Sequence, residues 1–118
     1  MTKQVYTYNH PFKLESGEEL QTLEMAYHTY GRLNEKKNNV VWVCHALTAN
    51  SDPVDWWESL VGEGKQLDPK NYFIVCANIP GSCYGSSGPL SINPSTENPY
   101  FSGFPMVTIR DMVNWFAS

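Results

Sequence analysis

Residues 81–85 carry a pattern that could supply a nucleophile. They read GSCYG, which has the G-x-nucleophile-x-G form with Cys83 in the nucleophile position. A nucleophile elbow leads directly into a helix, and a helix N-terminus lowers the pKa of a cysteine thiol. The following residues, 86–89, read SSGP and do not favour the start of a helix. The pattern is therefore more typical of a structural thiol. The alternative is a thiol hydrolase that uses Cys83 as its nucleophile.

Residues 45–48 (HALT) form a second segment with possible chemistry, because they follow an apolar run and precede a helical pattern. A backbone N–H group in such a turn can stabilise the negative charge that develops on a carbonyl oxygen during acyl transfer. The same residues also fit an ordinary strand-to-helix turn with a packed histidine. The residues alone leave both interpretations open.

Metal and cofactor sites are not predicted. The chain has three histidines and three cysteines, at positions 10, 28 and 45 and at positions 44, 76 and 83. No Cys/His pair has metal-ligand spacing, and adjacent Cys44 and His45 would point to opposite faces of a strand. No dinucleotide-binding or phosphate-binding glycine motif occurs. The odd number of cysteines argues against a disulfide framework and favours a reducing, cytoplasmic setting.

Composition predicts one small domain. The 118 residues are 42% hydrophobic and 17% charged, which is sufficient for a packed core. The net charge of −4 includes no basic stripe, so a nucleic-acid partner is not expected. No apolar run approaches the roughly 18–20 residues that span a bilayer, and the first residues lack a signal-peptide pattern. We therefore expect a protein without a membrane partner.

The predicted elements form an α/β arrangement. Alternating residues predict strands over 3–8 and 20–30 with a turn at 15–18. Continuous β-branched and aromatic runs at 40–44 and 72–77 are typical of strands buried on both faces. Between them, Asp52 and Pro53 predict the start of a helix that ends at Gly62 or Gly64. Strand, helix and strand together indicate a right-handed βαβ unit.

A long loop and a second helix follow the βαβ unit. Residues 80–105 are rich in glycine and proline and have no periodic pattern, which is typical of a functional loop. Thr108 and Asp111 have the spacing of a capping box. A helix is therefore predicted from residue 108 towards the last residue, Ser118.

Three stretches taken together resemble homoserine O-acetyltransferases, which are α/β-hydrolase-fold acyltransferases of methionine biosynthesis. They are residues 44–48, residues 81–89 with 91–94, and residues 104–105 with 108–113, and they occur in the family's order. Residues 26–31 and the pair Trp56 and Trp57 also match. The resemblance implies that residues 1–118 form one incomplete domain, the N-terminal part of an α/β-hydrolase fold truncated before the nucleophile elbow.

The resemblance also implies a mechanism and assigns two positions. A serine would take an acetyl group from acetyl-CoA through a Ser-His-Asp triad, and the hydroxyl of L-homoserine would then accept it. Leu47 matches the residue whose backbone N–H lines the oxyanion hole, and Thr48 lies beside it at the floor of the substrate pocket. No G-x-S-x-G motif occurs in this chain. The nucleophile, acid and base are therefore expected beyond Ser118, and the chain alone is expected to be inactive.

The resemblance leaves alternatives. It implies acetyl-CoA as a substrate rather than a bound cofactor, a cytoplasmic location and a homodimeric full-length enzyme. The alternatives are a homoserine O-succinyltransferase of the same fold and a non-catalytic α/β remnant. The resemblance further implies that the next strand would pair with residues 40–44, so this isolated chain is expected to self-associate through that edge.

Overall fold

The computed structural model describes residues 2–117. The elements in chain order are β1 (Thr2–Tyr8), β2 (Phe12–Lys13), β3 (Glu19–Leu20), β4 (Leu23–Tyr30), β5 (Val40–Val43), α1 (Pro53–Trp56), β6 (Phe73–Ala77), β7 (Ile92–Asn93), β8 (Asn98–Pro99), a 3-10 helix (Phe101–Gly103) and α2 (Ile109–Ala117). The predicted strands are confirmed, except that the segment 20–30 is divided into β3 and β4. No helix in the described residues is long and apolar enough to cross a membrane.

Four strands form one mixed sheet in the order β1-β4-β6-β5. β5 is parallel to β6, with Val43 opposite Cys76, while β4 is antiparallel to β6, with Tyr30 opposite Ile74. The parallel pair with α1 between its strands confirms the predicted βαβ unit. Within the described residues, β5 is an edge strand of this sheet.

The prediction that β5 is buried on both faces is wrong. Val43 is buried, but Val40 is 48% exposed and Trp42 is 39% exposed. Successive side chains of a strand point to opposite faces, and only one face of β5 is well covered. A continuous apolar run gives no information about which face a neighbouring element covers. The sequence therefore could not distinguish a strand buried on both faces from a strand buried on one face.

The described residues divide into two compact units. The first contains residues up to Gln4 together with Ala26–Asn78, and the second contains Val5–Met25 and the residues from Ile79 onward. The core of the first unit is formed by buried side chains from β4, β5 and β6 and by one residue of a loop. This core consists of Tyr30, Val43, Val61, Ile74 and Cys76.

Helix α1 is much shorter than the sequence predicts. It has four residues, and Asp52 at its N-cap makes no side-chain capping bond. The Asp52 carboxylate instead accepts a hydrogen bond from the Tyr30 hydroxyl, which is a tertiary contact that local spacing does not reveal. After α1, the N–H groups of Leu60 and Val61 both donate to the Trp57 carbonyl, at 2.9 and 3.0 Å. Residues 58–60 form a turn and do not continue the helix.

The second unit confirms the predicted hairpin turn and capping box. β2 and β3 pair around a turn in which the Leu14 N–H donates to the Glu18 carbonyl at 2.9 Å. At the start of α2, the Asp111 N–H donates to the Thr108 hydroxyl at 3.1 Å, and the Thr108 N–H donates to the Asp111 carboxylate at 3.0 Å. The same carboxylate accepts the Glu15 N–H at 2.9 Å. Asp111 thus joins two distant parts of this unit.

Candidate functional site

The turn after β5 contains both residues that the sequence predicted for the site. The Ala49 N–H donates to the Ala46 carbonyl at 3.0 Å, which makes Leu47 and Thr48 the central residues of a four-residue turn. We call it the 46–49 turn. Leu47 is 87% exposed, and among residues 2–117 its backbone N–H has no hydrogen-bond acceptor. The turn thus presents an available donor at the carboxyl end of a sheet strand.

His45 contacts the beginning of this turn. Its Nδ1 lies 2.8 Å from the carbonyl oxygen of Ala46. Because a carbonyl oxygen only accepts, the His45 ring must carry a hydrogen on Nδ1 to make this bond. His45 therefore orients the peptide group that precedes Leu47.

A buried polar pair follows the 46–49 turn. Ser51 and Asn78 are each 1% exposed. The Ser51 N–H donates to Asn78 Oδ1 at 2.8 Å, and Asn78 Nδ2 donates to Ser51 Oγ at 2.8 Å. Asn78 Nδ2 and the Asn78 backbone N–H also donate to the Ala26 carbonyl of β4, at 3.2 and 2.9 Å. These bonds use both ends of the Asn78 amide and fix its orientation.

The Ser51 hydroxyl also contacts a histidine. His28 Nδ1 lies 2.7 Å from Ser51 Oγ. Ser51 Oγ accepts a hydrogen from Asn78, and in the His28 tautomer with its hydrogen on Nε2 it can donate its own hydrogen to His28 Nδ1. His28 is therefore the third side chain that bonds at this position.

Asp52 anchors the next position of the same loop. Its carboxylate accepts the Tyr30 hydroxyl, and its N–H donates to the Asn50 side chain at 2.8 Å. Burial and the negative charge of Asp52 raise the pKa of Tyr30, so the phenol remains a donor at neutral pH. The loop is therefore held to β4 by a second side chain.

The loop at residues 80–105 lies in the second unit and contains the alternative nucleophile. Cys83 is exposed and lines a cavity of about 400 Å³ formed by the segment between Gly81 and Ser91. As expected, the residues after Cys83 do not begin a helix. Instead, Ser87 is buried and exchanges two hydrogen bonds of 2.8 Å with the backbone of Glu24. Among residues 2–117, no helix begins directly after Cys83 that could activate its thiol.

The sequence reasoning did not identify the Ser51–Asn78 pair. A weak signal exists, because Asn78 is a polar residue directly after the apolar strand β6, where the carboxyl ends of parallel strands meet. Among residues 2–117, no group of three or more His, Cys, Asp or Glu side chains could hold a metal ion.

Known structures identify the class of this fold. The chain matches esterase E22 with a TM-score of 0.84 and 30% identity, over 98% of this chain and 36% of that chain. It also matches a homoserine O-acetyltransferase from Bacillus anthracis with a TM-score of 0.83 and 30% identity, over 98% of this chain and 35% of that chain. The mixed sheet with its βαβ unit is part of an α/β-hydrolase fold.

Curated relatives identify the branch within this class. No family model matches the chain. A homoserine O-acetyltransferase of Chlorobium chlorochromatii (strain CaD3) is 54% identical over 108 residues, which cover 92% of this chain and 30% of that protein. One from Nostoc punctiforme (strain ATCC 29133 / PCC 73102) is 53% identical over 110 residues, 93% of this chain and 31% of that protein. The chain is homologous to part of the homoserine O-acetyltransferases and spans about 30% of their length, which confirms the resemblance seen in the residues.

Proposed function

We propose that this chain is the segment of a homoserine O-acetyltransferase that supplies an oxyanion-hole donor. The observation that carries the proposal is the turn after β5, in which the exposed residue Leu47 has a backbone N–H without an acceptor among residues 2–117, in a chain homologous to these acyltransferases. In the proposed reaction, a serine outside these 118 residues displaces CoA from acetyl-CoA. The hydroxyl of L-homoserine then takes the acetyl group and releases the serine.

The chemistry explains why a backbone donor is needed. Each step forms a tetrahedral intermediate whose oxygen becomes negative, and a preorganised N–H group stabilises that charge. We assign this role to the Leu47 N–H and assign the neighbouring Thr48 to the substrate pocket. Methionine biosynthesis, a cytoplasmic location and a homodimeric whole enzyme are part of the same proposal.

The isolated chain should be inactive under this proposal. It contains no G-x-S-x-G motif, and an oxyanion hole without an activated nucleophile gives only a small part of the full rate. Purified chain should release no CoA from acetyl-CoA in a homoserine-dependent manner. Turnover by contaminant-free chain would contradict the proposed division of roles.

A chimeric enzyme tests the assignment directly. This chain would replace the matching 108-residue segment of the Chlorobium chlorochromatii relative. Homoserine-dependent thiol release would be measured with acetyl-CoA. We expect activity with this donor. A folded chimera with no activity refutes the proposed function.

Leu47→Pro is the decisive variant in this chimera. Proline removes the N–H group, yet it is favoured at the second position of common β-turns, which is the position of Leu47. Loss of one oxyanion donor should lower kcat by about 10²- to 10³-fold. Leu47→Ala keeps the N–H and is the matched control, with kcat close to that of the parent chimera. Equal activity of the two variants would show that Leu47 is not the donor.

A further inference from the structure

We infer that Asn78 and Ser51 are positioning residues that hold the Leu47 N–H in its productive direction. This inference rests on the proposed function of the 46–49 turn. Neither side chain is placed to touch substrate, because each is 1% exposed. They act through the backbone on either side of the turn.

Both ends of the loop that carries Leu47 are fixed to one strand. At the start of the loop, Val43 pairs with Cys76 in the parallel ladder of β5 and β6. At its end, Ser51 is held by Asn78, which is only two residues beyond Cys76. Because β6 and Asn78 directly after it provide the two anchors, the span between Val43 and Ser51 is fixed. The direction of the Leu47 N–H depends on that span.

The Ser51 anchor is fully satisfied. Its backbone N–H and its hydroxyl both bond to Asn78, and the hydroxyl also bonds to His28 Nδ1. Hydrogen bonds in a buried network reinforce one another, and removal of one member leaves its partners unsatisfied. A merely solvent-exposed serine would not restrain the loop in this way.

Ser51→Ala in the chimera removes the hydroxyl bonds to Asn78 and His28. We expect kcat to fall by about 10- to 100-fold, which is the scale of a small misplacement in an active site. KM for acetyl-CoA should change by less than about twofold, because the residue acts on the reacting geometry. Ser59→Ala, at an exposed serine, is the matched control and should leave both constants unchanged.

Histidine variants provide a test by rescue. His28→Ala removes a bonding partner of the Ser51 hydroxyl and should lower kcat in the same way as Ser51→Ala. His28→Asn returns a side-chain amide, which can donate or accept, near the position of Nδ1 and should recover most of the activity. Asn78→Leu keeps the branched shape, adds volume at a buried position and removes all the bonds of the side-chain amide, so we expect the largest loss. If this variant does not fold, the Ser51 and His28 variants still test the inference.

A double-mutant cycle separates positioning from general stability. In the Leu47→Pro background the donor is absent, so Ser51→Ala should cause no further loss of kcat. If Ser51→Ala lowers kcat by the same factor in both backgrounds, it does not act through the Leu47 N–H. That result would overturn the inference.

Hydrogen exchange on the 118-residue chain gives a readout independent of activity. Amides of residues 45–50 should exchange faster in Ser51→Ala than in the parent and in Ser59→Ala. Unchanged exchange would overturn the inference even if the chimera is active. If the chimera is inactive, the proposed function fails, whereas the exchange result still decides whether Ser51 restrains the turn.

Discussion

Gly31→Ala should destabilise this chain far more than other glycine substitutions. Gly31 follows β4 with φ of +81°, and a Cβ built there would collide with the backbone carbonyl oxygens of Tyr72 and Pro69. These atoms belong to the chain that leads into β6, so they cannot move aside as a flexible side chain would. The substitution must therefore shift the backbone or break the contact.

Gly64 provides a matched control for the size of this effect. Its φ is +74°, but nothing lies within 4 Å of a Cβ at that position. Left-handed backbone costs an alanine about 1–2 kcal/mol, and both variants have this cost. Overpacking adds about 1–3 kcal/mol, and only Gly31→Ala has this term. We expect losses of about 2–5 kcal/mol for Gly31→Ala and about 1–2 kcal/mol for Gly64→Ala.

Urea denaturation followed by tryptophan fluorescence measures the difference. The experiment should use the lowest protein concentration that gives a signal, so that self-association does not contribute to stability. The Gly31→Ala midpoint should lie well below that of Gly64→Ala with an unchanged m-value. Equal losses in the two variants would show that the predicted collision with Tyr72 and Pro69 does not exist in solution.

Three other predictions concern Asp111, Cys83 and the edge of β5. Burial raises the pKa of Asp111, but hydrogen bonds from Thr108 and Glu15 outweigh it, so the net pKa is lowered. Asp111→Asn should thus lower the free energy of unfolding at pH 7, with a deficit that shrinks as the pH falls below about 4 in urea titrations. Cys83 should react slowly with iodoacetamide at pH 6 in folded protein, whereas rapid labelling would indicate an activated thiolate. The uncharged edge of β5 should make the isolated chain self-associate at micromolar concentration, and a monodisperse monomer in analytical ultracentrifugation would contradict this.

Local signals in the sequence predicted the elements that local interactions determine. The capping box of Thr108 and Asp111 needs only a spacing of three residues, and it forms as expected. The predicted helix after Asp52 fails for the opposite reason. Its capping carboxylate bonds to Tyr30, which lies 22 positions earlier in the chain. Sequence spacing cannot show which of two partners such a carboxylate will take.

The same distinction between local interactions and contacts of distant residues applies to the candidate site. Leu47 and Thr48 were found because the residues around them resemble a family, and the structure places both in a turn after β5. The Ser51–Asn78 pair was missed because its members are 27 positions apart and meet only when β6 lies beside β5. Buried polar partners of this kind depend on strand order, which a hydropathy pattern does not contain.

The bond between the Glu15 N–H and the Asp111 carboxylate affects the order in which the chain can fold during translation. The two residues are 96 positions apart. At about 5–20 residues per second, a ribosome adds Asp111 on the order of 5–20 s after Glu15. The continuous segment Ala26–Asn78 is synthesised within that interval, so most of the first unit is available to fold earlier. Phe12 of the hairpin packs against Trp115 of α2, with ring centroids 5.7 Å apart. Its ring lacks this contact until α2 is synthesised, so a chaperone could bind it during this interval.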